Sequence, residues 1–353
     1  MTHLLTTPAT RSFLLLCALL ACDACTARDR PAPTLPVATP PPAETAKTES
    51  GPIVFCGKTW PEDTQTISCS RDEPDLRPLR RLRSLRVLTM DSHSLEDLSP
   101  IAGLTSLETL WAHRAYIRSY EPLRGLINLQ DISMTGPATS LAPLAGLHKL
   151  RRIAVTGVQT EADVQVLSRL VNLREIEAVF STSHLQALRT LVSLQRLLVA
   201  KSKLSDLTAV ESMTSLDTLD LTGCPVSRLD PIAKAPNLQT LYLRDSQTTD
   251  LSGLAGAAEL WQLYLDGTNV SDLTPLQKVP KLKQLSINRT KVHDLTPLRA
   301  MTQLTDVDLD DTAVTDLAPL IGMASLRKVS VAKVAAPAAQ LAKLEAAGVW
   351  VSR

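Results

Sequence analysis

The chain has 353 residues, of which 44% are hydrophobic but only 3% aromatic, so its core must be built mainly from aliphatic side chains. It carries 37 lysines and arginines against 36 aspartates and glutamates, which gives a formal charge of +1. This balance gives the chain no bulk electrostatic reason to bind nucleic acid or an anionic membrane. Any electrostatic specificity must therefore be local.

Residues 1–21 predict an export signal. A weakly basic segment ends at Arg11, and an apolar run, SFLLLCALLA, follows it. The run has the length of a signal-peptide core and is too short to span a bilayer, which needs about 20 residues. It leads into the letters LLAC at residues 19–22, which resemble the lipobox of bacterial lipoproteins. The resemblance implies cleavage before Cys22 and acylation of that cysteine; an ordinary cleaved signal peptide and an uncleaved anchor are the alternatives.

This resemblance also implies a location. The protein is expected to be secreted across the inner membrane and lipid-anchored in the bacterial cell envelope, either in the periplasm or exposed at the surface. The membrane and leaflet that hold it stay open.

Residues 22–52 are expected to form the lipidated N-terminus and a disordered tether. The stretch contains PAPTLPVATPPPAETAKTES, which has too few large apolar residues to offset the entropy lost on ordering. Its proline content favours an extended, partly polyproline conformation. Cys25 is left over next to Cys22 and is either free or available for pairing with another chain.

Residues 53–84 are expected to cap a repeating pattern that begins at Leu85. Ile67 lies 21 residues before the first repeat anchor, Leu88, so residues 66–70 predict a cap strand. Cys56 and Cys69 bracket this segment. In an oxidising compartment they suggest a disulfide, which would stabilise the cap by about 3 kcal/mol for a loop of this length.

Residues 85–332 contain one pattern that recurs every 21 to 23 residues: Leu-x-x-Leu-x-Leu, a polar turn, and then Asp-Leu-x-Pro-Leu in the clearest copies. The second aliphatic residue of each copy serves as its anchor: Leu88, Leu110, Ile132, Ile153, Ile176, Leu197, Leu219, Leu241, Leu263, Leu285, Val307 and Val329. The alternation places the leucines on one side of a short strand. Because no single copy can bury its leucine face alone, the copies must stack into a solenoid.

Two polar positions of the repeat are interpreted as structural. Small hydrogen-bonding residues stand five positions past the anchor. The pattern resembles leucine-rich repeats, and this resemblance implies that the site turns the chain inward and bonds backbone groups of neighbouring coils. The aspartate of Asp-Leu-x-Pro can cap the short helical turn that follows it. The turn residues are Ser202, Cys224, Ser246, Thr268, Thr290 and Thr312.

The unit with threonine in the turn and Asp-Leu-x-Pro-Leu on the far side resembles the internalin-type leucine-rich repeats of bacterial surface proteins. The resemblance covers roughly residues 66–329. It implies an α/β solenoid: a right-handed superhelix with a parallel concave sheet, short 3-10 or helical turns on the convex side, and caps at both ends. It names no ligand, since members of this family bind quite different partners through variable positions.

Two coils and the C-terminus depart from the pattern. TEADVQVLSRL and STSHLQALRTL replace the Pro-Leu signature and have helical spacing, so a change of curvature is expected there. Residues 333–353 predict a C-terminal cap. PAAQLAKLEAA, followed by Gly348, predicts a helix, and Val349-Trp350-Val351 predicts a final strand.

The sequence predicts no enzyme. Its six histidines are scattered, and none stands at metal-ligand spacing with another histidine or a cysteine. No glycine-rich phosphate loop or Gly-x-Ser-x-Gly elbow is present in the sequence. The prediction is therefore a protein without catalytic residues, cofactor or metal.

The repeat phase identifies candidate binding residues. Positions one before, one after and three after each anchor should face the concave side of the sheet. In the C-terminal half these positions hold two tyrosines and an excess of aspartate, typical of an interaction hot spot. A smaller aromatic pair stands near the N-terminal end, although isolated exposed aromatics are also common where nothing binds. The candidates are Tyr242, Tyr264, Arg244, Asp266, Asn288, Asp308 and Asp310, with Trp111 and His113 at the other end.

The functional hypothesis is a membrane-tethered recognition module that binds a protein through this concave face, or less favourably a glycan. The acidic excess favours a basic partner, and no nucleic acid is expected. The alternative is a structural envelope spacer or self-assembling lipoprotein without a dedicated ligand. The sequence leaves the oligomeric state open.

Overall fold

The computed structural model describes residues 51–138 and 140–353. The predicted export signal, Cys22, Cys25 and most of the tether lie outside these residues. Within the described residues, a hairpin of two antiparallel strands precedes a parallel sheet of 14 strands in strict chain order. The strands are β1 Ile53–Phe55, β2 Lys58–Trp60, β3 Thr66–Cys69, β4 Val87–Asp91, β5 Thr109–His113, β6 Asp131–Met134, β7 Arg152–Val158, β8 Glu175–Phe180, β9 Arg196–Leu198, β10 Thr218–Asp220, β11 Thr240–Tyr242, β12 Gln262–Tyr264, β13 Gln284–Ser286, β14 Asp306–Asp308, β15 Lys328–Ser330 and β16 Trp350–Ser352.

The register of the sheet follows the anchors. Leu219 is opposite Leu197 on one side and Leu241 on the other, and the same phase continues along the sheet to Val351. Leu197, Leu219 and Leu241 are buried and Val351 is partly buried, and in most coils the aliphatic residue two positions further on is buried as well. A continuous aliphatic core therefore runs from Ile53 to Val349. The leucine-rich-repeat solenoid expected from the sequence is confirmed.

The strands are short because the chain turns sharply after them. Four residues past the anchor, the backbone adopts a left-handed conformation, with φ of 53° at Asp245, 71° at Gly267 and 55° at Arg289. This conformation favours glycine, asparagine and aspartate, and it ends a strand because the extended backbone cannot continue through it.

The return side of most coils is a 3-10 turn. The preceding aspartate accepts a hydrogen bond from the first backbone N–H of the turn, for example Thr274 N to Asp272 Oδ1 at 2.8 Å and Thr296 N to Asp294 Oδ1 at 2.8 Å. The aspartate thus bonds the start of the turn as expected, although the N-cap residue is the leucine that follows it. The 3-10 turns are Arg77–Arg81, Ser99–Ile101, Glu121–Leu123, Ala142–Gly146, Gln186–Thr190, Thr208–Ser212, Asp230–Lys234, Ser252–Leu254, Thr274–Lys278, Thr296–Ala300 and Ala318–Leu320.

Of the two coils with helical spacing, only the first forms an α-helix, α1, Glu161–Arg169. Thr160 and Asp163 form a capping box at its start. The second coil forms the 3-10 turn Gln186–Thr190, whose N-cap Leu185 makes no side-chain cap hydrogen bond. At the start of α1, the Thr160 side chain gives the N–H of Asp163 an acceptor, which favours the helix there.

Both ends of the sheet carry additional elements. At the N-terminal end, a disulfide joins Cys56, in the β1–β2 turn, to Cys69, in β3. At the C-terminal end, helix α2, Ala338–Ala346, is followed by β16, which pairs with β15. The β1–β2 hairpin was not foreseen from the sequence. No helix among the described residues is long and apolar enough to cross a membrane.

The turn threonines act differently from the expectation. Thr268, Thr290 and Thr312 donate to carbonyls three residues earlier in their own coil, at 2.7, 2.7 and 2.6 Å. Only the smaller residues reach across coils: Ser202 Oγ accepts from Phe180 N at 2.8 Å, and Cys224 Sγ donates to Val199 O at 3.2 Å. Ser246 Oγ instead donates to Thr248 Oγ1 in its own coil at 3.0 Å, so a bond across coils is made at only some of these positions.

Candidate functional site

The candidate site lies on the outer face of the sheet, which we define by the residues one before, one after and three after each anchor. These side chains point away from the aliphatic core because successive strand residues alternate between the two faces. In β11 and β12, the register places Tyr242 directly opposite Tyr264 and Leu241 opposite Leu263. The tyrosines are partly exposed, whereas the leucines are buried.

Tyr242 and Tyr264 form one aromatic cluster with Arg244. The two rings stack with their centroids 4.7 Å apart and their planes at 7°. The guanidinium of Arg244 lies over both rings, 4.4 Å from the centroid of Tyr264 and 5.4 Å from that of Tyr242. Its Nε also donates to Asp266 Oδ2 at 2.7 Å. The guanidinium is thus held in place by two rings and a carboxylate, and we call Tyr242, Arg244 and Tyr264 the tyrosine–arginine cluster.

Both phenols of this cluster stay protonated at physiological pH. Burial raises the pKa of Tyr264 to about 12, with the neighbouring Tyr242 adding to the effect. Burial also raises the pKa of Tyr242, and the nearby Asp220 carboxylate acts in the same direction. The hydroxyl of Tyr264 lies 3.2 Å from Gln262 Nε2 and 3.4 Å from Gln284 Oε1. The cluster therefore presents neutral phenols and the edges of a fixed aromatic stack, with the Tyr264 hydroxyl already bonded to Gln262 and Gln284.

Three of the predicted binding residues are held by the sheet itself. Asn288 N donates to Asp266 Oδ1 at 3.1 Å, Asp310 N to Asn288 Oδ1 at 2.7 Å, and Ala332 N to Asp310 Oδ1 at 2.7 Å. Asp266, Asn288 and Asp310 thus form a ladder in which each side chain accepts from the next coil. Their acceptor capacity is largely used inside the protein. Asp308, the next candidate, forms an ion pair with Lys328 at 3.0 Å.

Asp220 stands at an outer-face position, but its side chain is buried and cannot contact a partner. Its side chain is fully buried, and Oδ1 accepts from Thr222 N at 2.9 Å. Oδ2 and the hydroxyl of Thr222 have no hydrogen-bond partner within the described residues. Burial raises the pKa of the carboxyl, which its contacts with Thr222 and the charge of Arg244 oppose.

A second cluster occupies the middle of the outer face, and the sequence analysis missed most of it. Arg152, on β7, is surrounded by three carboxylates, with distances of 3.3 Å to Asp131, 2.9 Å to Glu175 and 3.1 Å to Glu177. Arg196 adds an ion pair to Glu175 at 3.5 Å. Burial raises the pKa of Glu177, against the opposing charge of Arg152. The alternation of charge at the position before the anchor was a signal in the sequence that could have identified this network.

The predicted Trp111 and His113 belong to the border of this central network. Trp111 Nε1 donates to Asp131 Oδ1 at 2.9 Å, and the guanidinium of Arg152 lies 5.8 Å from the ring centroid. The rings of Trp111 and His113 are 5.8 Å apart and tilted by 55°. Burial lowers the pKa of His113. Trp111 is thus fixed by an ion-pair network rather than standing alone.

The structure does not bring the two predicted aromatic groups together. Trp111 lies on β5 and Tyr242 on β11, six strand spacings apart, which corresponds to about 29 Å along the sheet. Only an extended ligand could contact both groups at once. Within the described residues, no group of three or more histidine, cysteine, aspartate or glutamate side chains is arranged to hold a metal ion.

Comparison with known proteins agrees with this architecture. The family model described as Leucine Rich repeats (2 copies) matches residues 214–256. Among solved structures, an internalin from Listeria monocytogenes aligns with a TM-score of 0.74 at 19% identity, covering 84% of this chain and 89% of its own. A leucine-rich-repeat protein from Leptospira interrogans aligns with a TM-score of 0.61 at 15% identity, covering 83% and 90%. No curated protein matches the chain.

A plant protein shares the fold over a shorter part of its length. The leucine-rich-repeat ectodomain of a membrane receptor kinase from Arabidopsis thaliana, solved in complex with CASPARIAN STRIP INTEGRITY FACTOR 2, aligns with a TM-score of 0.56 at 16% identity. The alignment covers 76% of this chain and 41% of the plant chain. At these identities the likenesses define the fold: this chain is a leucine-rich-repeat solenoid. Proteins of this class generally bind other proteins.

Proposed function

We propose that this protein is a recognition module that binds another protein through the outer face of its sheet. The observation that carries the proposal is the tyrosine–arginine cluster. Partly exposed aromatic rings held rigid by a neighbouring guanidinium lose little side-chain entropy on binding. Tyrosine and arginine are also the residue types enriched at binding hot spots.

The charge of the outer face favours a basic partner. By our definition the face carries nine acidic and four basic side chains, an excess of five negative charges in a chain whose formal charge is +1. Part of this excess is bound internally, as the ladder of Asp266, Asn288 and Asp310 illustrates. What remains supports steering of a positively charged partner more than tight binding of it. The acidic residues are Asp91, Asp131, Glu175, Glu177, Asp220, Asp266, Asp306, Asp308 and Asp310, and the basic ones Arg152, Arg196, Arg244 and Lys328.

The proposed setting is the bacterial cell envelope, with the solenoid tethered through acylated Cys22 after secretion across the inner membrane. The sequence at residues 12–22 supports this location, and the disulfide between Cys56 and Cys69 is compatible with an oxidising compartment. A tether would let the outer face reorient to meet its partner. The plant ectodomain solved with a bound factor shows a ligand complex on the same fold and supports a protein ligand here.

Crosslinking on intact cells, followed by mass spectrometry, tests this proposal. We expect a saturable partner that the wild-type chain captures and that the Tyr242→Ala/Tyr264→Ala variant loses. Tyr116→Ala is the matched control, because Arg118 lies 5.4 Å from the ring of this half-exposed tyrosine and the residue lies outside the outer face. Unchanged capture by the double variant would contradict the proposal. Self-association without a foreign partner would favour a structural spacer instead.

A further inference from the structure

The lateral edge of the solenoid carries an unusual column of exposed aliphatic residues. The large hydrophobic side chains exposed among the described residues include Ile127, Val171 and Val192, at 58%, 56% and 51% exposure. All three stand at the same repeat position, five residues before an anchor, in the coils that lead into β6, β8 and β9. His148 occupies that position in the coil between the first two. Half of the large exposed hydrophobics thus fall in one place, the whole set being Val54, Tyr116, Ile127, Val171, Val192 and Trp350.

Hydrogen bonds between coils show that these positions stack in register. Asn172 Nδ2 donates to the carbonyl of His148 at 2.8 Å, and Asn128 Nδ2 makes the equivalent bond to Thr105 at 2.8 Å. Three residues after the position of Val171 and His148, Arg174 N donates to Arg151 O at 2.7 Å. The aliphatic side chains therefore lie along one continuous edge rather than on separate loops.

The same edge is positively charged and has no acidic residue. The segments 124–130, 145–151, 168–174 and 189–195 contain no aspartate or glutamate. Lys149, Arg151 and Arg174 are exposed and form no ion pair with a carboxylate of the described residues, and the same holds for Arg169 and Arg189. We call this surface the basic–apolar flank, and its defining residues are Ile127, Val171, Val192, Lys149, Arg151 and Arg174.

The flank is a local feature and does not follow from the repeat. In the later coils the position five before the anchor holds residues such as Pro236, Ala258 and Pro280. Lysines on that side are also neutralised, with Lys234 Nζ 2.9 Å from Glu211 and Lys281 Nζ 2.6 Å from Glu259. The column of exposed aliphatic residues thus does not extend beyond the coils of β6 to β9, although Lys283 and Arg327 of later coils are also exposed without a carboxylate partner among the described residues.

We propose that the basic–apolar flank docks the solenoid onto a membrane surface rich in anionic phospholipid. Guanidinium and ammonium groups without a carboxylate partner can bind lipid phosphates, although Lys149 Nζ donates to Asn128 Oδ1 at 2.7 Å. Aliphatic side chains at the same level can enter the boundary between headgroups and acyl chains. An acidic protein would meet the same charges. Lipid fits better because exposed aliphatic side chains and cations without carboxylate partners lie together on one edge, which is the combination that interfacial membrane binding uses.

Such docking would complement a lipid anchor. A single acyl chain binds membranes only marginally, and stable attachment takes a second signal such as a polybasic patch. The flank is formed by residues that come before the strands, whereas Tyr242 and Tyr264 lie on the strands and face outward. Docking through the flank therefore leaves the tyrosine–arginine cluster accessible to a partner. The docking surface is therefore independent of the proposed recognition face, and either can fail without the other.

Vesicle co-sedimentation tests the proposal with the full chain carrying Cys22→Ser, which removes any acylation. We expect binding to vesicles of phosphatidylcholine mixed with phosphatidylglycerol, no binding to phosphatidylcholine alone, and a decline of binding with added salt. Arg151→Gln/Arg174→Gln is expected to weaken binding by on the order of tenfold. Ile127→Ser/Val171→Ser/Val192→Ser should weaken the binding that remains at high salt.

Lys283→Gln/Arg327→Gln is the matched control, because it removes the same charge at the same repeat position beside Pro280 and Ala324. It should retain binding within about twofold, since its coils lack the apolar column. Equal loss in the control would overturn the proposal in favour of unspecific charge attraction. Absence of binding to the anionic vesicles would overturn the proposal directly. If the chain bound polyglutamate but not the vesicles, the flank would be assigned to an acidic protein instead. Circular dichroism verifies that each variant is folded.

Discussion

Tyr242 and Tyr264 stack in parallel because they occupy the same repeat position in adjacent strands, where the register sets them opposite each other. With their planes at 7°, the rings act as one platform, and Arg244 closes it on one side. The stack is thus a product of the repeat, because neighbouring coils place side chains at equivalent positions in contact. Two tyrosines at the same repeat position therefore form one continuous surface.

A double-mutant cycle on Tyr242→Ala and Tyr264→Ala should show an energetic coupling of about 0.5–1.5 kcal/mol in the free energy of unfolding. Denaturant titration of the four proteins measures it. The same cycle between Tyr242 and Ser286, two strands away, should be additive within about 0.5 kcal/mol. Additive effects for the tyrosine pair would show that the stack contributes no specific interaction.

Asp220→Asn should stabilise the protein at neutral pH by about 1–2 kcal/mol, because a buried carboxylate with one unpaired oxygen is replaced by a neutral amide. The folded pKa is raised above 3.8, so the folded state binds the proton more tightly than the unfolded state. Ionisation therefore costs stability as pH rises above 3.8, and the advantage of the variant should vanish below that value. Unfolding titrations across this pH range measure it.

Asp250→Asn serves as the control of opposite sign. Hydrogen bonds from the hydroxyl and N–H of Ser252 lower the pKa of the Asp250 carboxyl, so its ionised form stabilises the folded state. That contribution is present above pH 3.8 and is lost as pH falls through the lowered folded pKa. If both variants shift stability in the same direction at neutral pH, the interpretation of Asp220 is wrong.

Asp163→Ala should cost about 2–4 kcal/mol, and Thr160→Ala about 1 kcal/mol. Asp163 is buried and accepts from Leu141 N of the preceding coil at 2.7 Å as well as from Thr160 N at 3.1 Å. Its removal leaves a buried N–H without an acceptor, whereas Thr160 acts only at the helix start. Thermal and chemical unfolding compare the two, and Asp163→Asn, which keeps one acceptor oxygen, should recover part of the loss. Equal costs for the two alanine variants would contradict the role of Asp163 in joining the coils.

Replacing both Cys56 and Cys69 by alanine should lower the free energy of unfolding of the N-terminal region by about 3 kcal/mol, since the closed loop spans 13 residues. Reducing agent should destabilise the wild-type chain by a similar amount and leave the variant unchanged. Cys224 provides an internal control, because burial raises the pKa of its thiol to about 12 and thiol reagents should modify it only after unfolding. A variant as stable as the wild type would show that the disulfide does not hold the cap.

The repeat phase was predictable because each coil folds by local rules and contacts only its neighbours. The anchors from Leu88 to Val329 lie where the spacing placed them, and the aspartates of Asp-Leu-x-Pro bond the turns that follow them. A local capping box at Thr160 accompanies the one α-helix that forms in the two coils with helical spacing. The second of these coils has no capping side chain and forms a 3-10 turn.

The contacts between side chains of different coils required the structure. The sequence alone determined the fold, the buried face and the residues that share the outer face, since these follow from a period of about 22 residues and from strand alternation. Only the tertiary structure decided that Asp266, Asn288 and Asp310 bond the sheet, that Arg152 joins three carboxylates, and that Arg151 and Arg174 join none. Such partnerships depend on distances and side-chain directions between coils, and the repeat fixes only which residues are neighbours.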